Sequence, residues 1–213
     1  MITNEQIIEL LKEEAQPALG CTEPVACAYA CAKCHEILKE IPNKIDVEVS
    51  GNILKNGMGV GIPGTGMVGL PIAVALGVIC GKTEYGLEVL KDVLIGDNLQ
   101  KAKDLLDKDI IHIKLAKDAP DILYVKATCK ANNNNKVSVT IQKSHTNIVE
   151  ITYNDAIIFA QSNKHNNKHK NSDLRSQITI ERIWEFVNNV DIKDREFLLD
   201  GANMNKDIAL EGL

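Results

Sequence analysis

"GVGIPGTGMVGLPIAVALGVICG" (Gly59 to Gly81) separates two architectures. Its glycines meet the dinucleotide-binding spacing Gly-x-Gly-x-x-Gly twice, as Gly59, Gly61, Gly64 and as Gly64, Gly66, Gly69. A nucleotide fold needs such glycines directly between a hydrophobic strand and a helix of a βαβ unit, with the helix N-terminus facing the pyrophosphate. Pro63 interrupts the first match, and Pro71 stands inside the helix start of the second. The favoured reading is a glycine turn that delivers a buried helix from about Val68 to Ile79. Its exposed backbone N–H groups suit any small anion, an amino acid's carboxylate included. Close packing of a glycine-rich helix is the structural alternative.

Outward from this stretch, helices and strands segregate instead of alternating. Ile7, Leu10 and Leu11 recur at helical spacing, and Asn4 followed by acidic residues predicts a capped helix from about Asn4 to Glu14. A second helix is expected from Thr22 or Glu23 towards Lys39, with Thr22 as N-cap and Pro24 in its first turn. "KIDVEVSG" (Lys44 to Gly51) alternates apolar and charged residues as a half-buried strand does. After the buried helix, "EYGLEVLKDVL" and "DNLQKAKDLLDK" read as amphipathic helices. "DIIHIKLA", "DILYVKATCK" and "KVSVTIQKSHTNIVEITYN" read as three strands, the last two joined by a turn at Asn132 to Asn135. The expected fold class is α+β: a helical N-terminus and a buried Gly-rich helix on a small, mainly antiparallel sheet, with a helical C-terminal tail. Residues 1–160 are expected to form the main domain, 161–172 a polar loop or linker, and 173–213 the tail. His165 and His169 have a metal-like spacing but read as solvated residues of that loop.

Composition narrows the chemistry. The chain has 213 residues, 45% of them hydrophobic, which suffices for a real core. Its 24 basic and 29 acidic residues give a net charge of -5 with no basic block, so nucleic acid is not the expected partner. "MITNEQIIELLKEE" is acidic where a secretory signal needs a basic start, so a cytoplasmic protein is expected. Met67 to Gly81, broken by Pro71 and by glycines, falls short of the ~20 residues that span a bilayer, so no membrane is expected. Six cysteines in this context argue for free thiols, a metal or cluster, or a catalytic sulfur rather than disulfides.

Among those thiols, Cys21 stands just before a helix N-terminus in Gly20-Cys21-Thr22-Glu23-Pro24. Unpaired N–H groups and the positive dipole end stabilise a thiolate there, which predicts a pKa below the free value of about 8.5 and makes Cys21 a base, nucleophile or metal-ligand candidate. The alternative is a small buried cysteine filling the helix entry. Glu23 reads as dipole compensation or as an acid–base group, with compensation favoured. Cys27, Cys31 and Cys34 share one helix face and suit packing better than a metal, while the adjacent His35 reads as a surface residue. In "KSHTNIVEI", Ser144, His145, Thr146 and Asn147 break a strand's alternation, either to meet a substrate or to bond one another at a bulge.

"EEAQPALGCTEPVACAYACAK", "SGNILKNGMGVGIPGTGMVGLPIAVALG", "SHTNIVEI" and "LLDGANMNKDIALEGL" together resemble the L-cysteine desulfidase family, relatives of the bacterial iron–sulfur L-serine dehydratases. The resemblance implies a lyase that converts L-cysteine to pyruvate, ammonia and hydrogen sulfide with a [4Fe–4S] cluster. It implies Cys21 as the proton acceptor, and Asn52, Asn56, Thr65, His145, Thr146 and Asn147 as substrate contacts. Family members continue past the equivalent of Leu213, and Cys27, Cys31, Cys34, Cys80 and Cys129 match no ligand position. The chain is thus expected to be a truncated, N-terminal part whose cluster ligands lie mostly outside it and which alone holds no metal. Ile180, Trp184, Phe197, Leu199, Ile208 and their apolar neighbours then predict a homo-oligomer or docking to the missing half. The rival readings are a serine dehydratase-like lyase, an inactive binding or assembly domain, and a nucleotide-dependent oxidoreductase.

Overall fold

The computed structural model describes residues 2–161 and 174–211. The chain separates into two compact units, Ala18–Gln161 and Met1–Pro17 with Ser162–Leu213. The fold class is α+β, as expected. The expected 1–160 boundary shifts, because Met1–Pro17 clusters with the C-terminal segment instead of with the sheet. From Ser162 on, the expected polar loop, with His165 and His169, lies outside the described residues up to Asp173.

In the larger unit, α2 (Thr22–Leu38), following α1 (Asn4–Glu14) in chain order, is the central helix. Ala26, Cys27, Ala28, Ala30, Cys31, Ala32 and Cys34 are all fully buried, so this helix is enclosed on nearly every side. It packs against α4 (Leu70–Cys80) and against the sheet. The α2–α4 approach explains the small residues: a Cβ on Gly77 would lie 2.3 Å from the carbonyl oxygen of Ala28, and one on Gly81 would lie 2.8 Å from Ala32 Cβ. Backbones this close need glycine on one side and alanine on the other.

Six strands form the main sheet: β1 (Lys44–Val49), β4 (Ile111–Leu115), β5 (Tyr124–Lys130), β6 (Lys136–Gln142), β7 (Ile148–Tyr153) and β8 (Ala156–Ala160), in the spatial order β4-β1-β5-β6-β7-β8. Only β1 and β4 run parallel. Ile45, Val47 and Val49 align with Cys129, Ala127 and Val125, and these with Val137, Val139 and Ile141, giving a fully buried apolar face. Side-chain alternation sends Asp46, Thr128 and Ser138 to the other face, where the Thr128 and Ser138 hydroxyls are 2.9 Å apart.

Several elements differ from expectation. Thr3, not Asn4, caps α1, through a capping box with Gln6. Cys21, not Thr22, is the N-cap of α2. Asn52 falls in a short helix, α3 (Gly51–Gly57), where a loop was expected. The glycine turn builds a two-stranded antiparallel sheet, β2 (Gly61–Ile62) and β3 (Met67–Val68), so the strand before α4 belongs to a short hairpin and not to the parallel βαβ unit of a nucleotide fold. Tyr85 to Leu94 forms a 3-10 helix and turns instead of an amphipathic helix, with Gly86 at φ 55° interrupting it; α5 (Asn98–Leu106) forms as expected. The third expected strand is two, β6 and β7, folded back at residues 143–147.

In the smaller unit, α6 (Ile180–Asn189) and α7 (Phe197–Glu211) join α1. Ile2, Ile7, Leu10, Phe186 and Val190 form its core. Arg182 ties α6 to the chain start by donating to the Ile2 carbonyl and to Asn4 Oδ1, at 3.0 and 2.6 Å.

Candidate functional site

Three elements of the larger unit converge at the start of α2. Gly20, at φ 76°, turns the chain into the helix with room for no side chain, since a Cβ would lie 2.9 Å from Pro63 Cγ. The β2–β3 turn thereby abuts the entry to α2. Cys21 follows as N-cap, but its thiol makes no cap hydrogen bond to the helix. It donates instead to Glu23 Oε2 at 2.8 Å. The other carboxylate oxygen, Oε1, accepts a hydrogen bond from Asn56 Nδ2 of α3 at 3.0 Å. His145, on the β6–β7 loop, stands near enough for its charge to act on Glu23.

The electrostatics correct the expected low pKa of Cys21. Its thiol is pushed above the ordinary value, first by burial and then by the hydrogen bond to the Glu23 carboxylate. The N–H groups of Glu23 and Thr22 do pull it down, as a helix N-terminus should, but they are outweighed. Glu23 is held below the usual carboxylate range, first by the bond from Cys21 and also by Asn56. Burial lowers the His145 pKa, against the opposing field of Glu23. At neutral pH the cluster is therefore a protonated thiol, an ionised carboxylate, an amide and a neutral imidazole.

Of the residues singled out in the sequence, the structure links Cys21 and Asn56 through Glu23, with His145 close enough to feel the Glu23 charge. Thr65 is buried and its hydroxyl is engaged in the turn, donating to the Ile62 carbonyl at 2.7 Å and accepting from Met67 N at 2.9 Å. Asn147 braces the β6–β7 loop, donating to the Gln142 carbonyl at 2.8 Å and accepting from Gln161 at 3.1 Å. Thr146 is half-buried in the same loop, its carbonyl accepting from Ile148 N. Asn52 is exposed, one α3 turn from Asn56, and borders an open hollow of about 350 Å³ with Leu115, Lys117 and Asp121. Glu23 is the group that sequence reasoning set aside. Its signal was its place two residues after Cys21, which puts a carboxylate within reach of the thiol.

The remaining thiols serve packing. Cys27, Cys31, Cys34 and Cys129 are fully buried, and Cys34 Sγ lies 3.7 Å from the carbonyls of Ala127 and Val137. Burial pushes the Cys27 thiol up to about 12. Cys31 is raised first by its hydrogen bond with Cys129, and Cys34 first by burial. His35 is half-buried, not a surface residue. Among the described residues no group of three or more His, Cys, Asp or Glu side chains is arranged to hold a metal ion. A [4Fe–4S] cluster finds no cradle in them. No described helix is long and apolar enough to cross a membrane.

Nearly the whole chain aligns with longer proteins. A protein of Bacteroides fragilis is 40% identical over 205 residues, covering 96% of this chain and 47% of its own length. One from Parabacteroides distasonis is 43% identical over 211 residues, covering 98% and 48%. One from Clostridium tetani is 42% identical over 210 residues, covering 97% and 48%. All three are described as UPF0597 proteins. The chain is similar to UPF0597 proteins. It spans about half the length of the curated relatives it matches. No family model matches it. The expected membership of the L-cysteine desulfidase family, as its N-terminal part, is corrected accordingly: that resemblance rested on short motifs, whereas the similarity to UPF0597 proteins extends over nearly the entire chain.

Proposed function

We propose that the Cys21–Glu23–Asn56–His145 cluster moves a proton at the α-carbon of a small amino acid, in an α,β-elimination with L-cysteine as first substrate and L-serine as the alternative. The observation that carries this reading is the 2.8 Å contact from the Cys21 thiol to Glu23 Oε2, with the carboxylate fixed from its other side by Asn56. A sulfur, a carboxylate and a neutral imidazole within one cluster are the components of general acid–base catalysis. Cys21, protonated at rest, first loses its proton to solvent and then, as thiolate, takes the Cα proton onto Sγ. The electron pair left behind forms the Cα–Cβ double bond, and the β-substituent leaves with its bonding electrons. The aminoacrylate tautomerises to the imine, which water hydrolyses to pyruvate and ammonia. In the resting cluster Glu23, held by Asn56, orients the thiol, and His145 on the β6–β7 loop supplies a second base, a neutral imidazole, in the field of Glu23. Six cysteines unpaired in the structure accord with action in the reducing cytoplasm.

Two measurements test it on this chain. Pyruvate and sulfide from L-cysteine, or pyruvate from L-serine, read the full reaction. Exchange of the α-proton of L-alanine in D2O, followed by proton NMR, reads proton removal alone because alanine has no leaving group. Exchange abolished by Cys21→Ala and slowed by Asn56→Ala is expected. Exchange indifferent to Cys21→Ala, or no exchange at any pH, would sink the reading.

A further inference from the structure

Glu23 carries a charge that the described residues leave without a cation. Its oxygens accept from a thiol and from an amide, both neutral. No described ion pair includes it. The titratable groups that act on it are Cys21, from the entry to α2, and His145, from the β6–β7 loop; α3 contributes the amide of Asn56, and neither Lys55 of α3 nor Lys143 of the β6–β7 loop makes an ion pair with it, while the glycine turn carries no titratable side chain. Two of these partners titrate, but burial keeps His145 neutral at neutral pH and the thiol is never a cation.

An ionised carboxylate held by neutral donors is a receptor for a positive group. An ammonium N–H to carboxylate bond is charge-assisted and stronger than one from a neutral thiol, so a cation arriving at Oε2 replaces the S–H. We infer that Glu23 is the docking group for the ammonium of an amino-acid substrate, and that docking there frees Cys21 from its carboxylate partner and converts it to the thiolate. The thiol proton leaves to solvent, which the half-exposed sulfur reaches. The hydrogen bond to Glu23 and the negative field of Glu23 both hold the proton on sulfur, and the ammonium cancels both. The N–H groups of Thr22 and Glu23 then act with less opposition. The base is thus made only when an amine is bound, which excludes 2-hydroxy acids and 2-keto acids as activating ligands. This rests on the reading of the cluster as a proton-transfer site.

The test is the pH dependence of Cys21 alkylation by iodoacetamide, followed by peptide mass spectrometry, with L-alanine or L-lactate at equal concentration. The midpoint, not the absolute rate, is read, so shielding of the sulfur by ligand does not disturb it. Alanine should lower the midpoint and lactate should leave it in place. A shift of one unit corresponds to roughly tenfold faster alkylation on the acid side of the midpoint. Glu23→Gln should start from a lower midpoint and ignore alanine, whereas Glu23→Asp keeps the charge and should retain the response. Equal effects of alanine and lactate, or a Glu23→Gln midpoint unchanged or higher, would overturn the inference. Should Glu23→Gln fail to fold, the alanine and lactate arms on the unmodified chain decide alone. Alanine has no leaving group, so a midpoint shift without pyruvate from cysteine would leave this inference standing and remove the elimination.

Discussion

Cys21 differs from the other five thiols first in what water can reach. Four of the others, Cys27, Cys31, Cys34 and Cys129, have no exposed surface, and Cys80, half-buried and hydrogen-bonded to the Leu76 carbonyl, is pushed up to about 11 mainly by burial. A thiol-exchange reagent at pH 8 should therefore titrate Cys21 first, Cys80 slowly, and the other four only in denaturant; early reaction at any α2 thiol would contradict the packing described. Two half-buried histidines carry a second expectation. Burial lowers the pKa of His35 and of His145 below the unfolded value near 6.5. Between the two values the unfolded chain binds more protons, so stability falls as pH drops below about 6.5. His35→Gln with His145→Gln should flatten the dependence of the urea midpoint on pH between 7 and 5. Below about 4.5 the loss should persist, because the lowered pKa of Glu23 contributes stability only while its carboxylate is ionised. An unchanged slope between pH 7 and 5 would assign the acid sensitivity to other groups.

At the scale of elements, the α2–α4 seam is the most exacting contact. Gly77→Ala drives a methyl group to within 2.3 Å of a backbone oxygen, which cannot move as a side-chain tip can. A loss of about 1–3 kcal/mol is expected from overpacking, read as a lower urea midpoint, whereas Gly59→Ala, with nothing within 4 Å of the new Cβ, should stay within about 0.5 kcal/mol. Equal midpoints for the two variants would mean that the helices separate freely. The elements also differ in how openly the sequence carries them. β1 was legible because its burial alternates with its side chains, and the β5–β6 turn because asparagine accepts positive φ, as Asn134 does at 65°. The β6–β7 fold-back was not. Ser144 to Asn147 broke the alternation and read as a bulge or substrate contact within one strand, whereas they close a turn in which Lys143 takes φ 71° and Asn147 N donates to the Ser144 carbonyl. α3 was missed because seven residues rich in glycine and asparagine have little intrinsic helical preference, which tertiary contact overrides at the buried Ile53.

For the whole molecule, the apolar residues of the C-terminal helices carry the expectation. Ile180, Trp184 and Ile208 are 83%, 73% and 72% exposed. Exposed apolar surface costs about 25 cal/mol per Å², and burial against another copy removes part of that cost. Light scattering at tens of micromolar should report a mass above that of one chain, and Trp184→Glu with Ile180→Glu should return it towards the monomer. A monodisperse monomer for the unmodified chain would show that these side chains tolerate water.

The sequence by itself determined the α+β class, the buried helix after the glycine turn, and the place of Cys21 at the entry to α2, because periodicity, proline position and a helix start are local properties. It could not determine the protonation of Cys21, since that depends on burial and on a carboxylate whose side-chain direction is settled by packing. Nor could it separate the motif residues that meet from those that only build turns. Cys21 and Asn56 meet at Glu23 from positions far apart in the chain and His145 acts on it through its field, while Thr65 and Asn147 satisfy their own loops. Local pattern names the candidates, but only the tertiary structure decides which of them share a hydrogen bond or a field, because those interactions depend on distances that chain order does not encode.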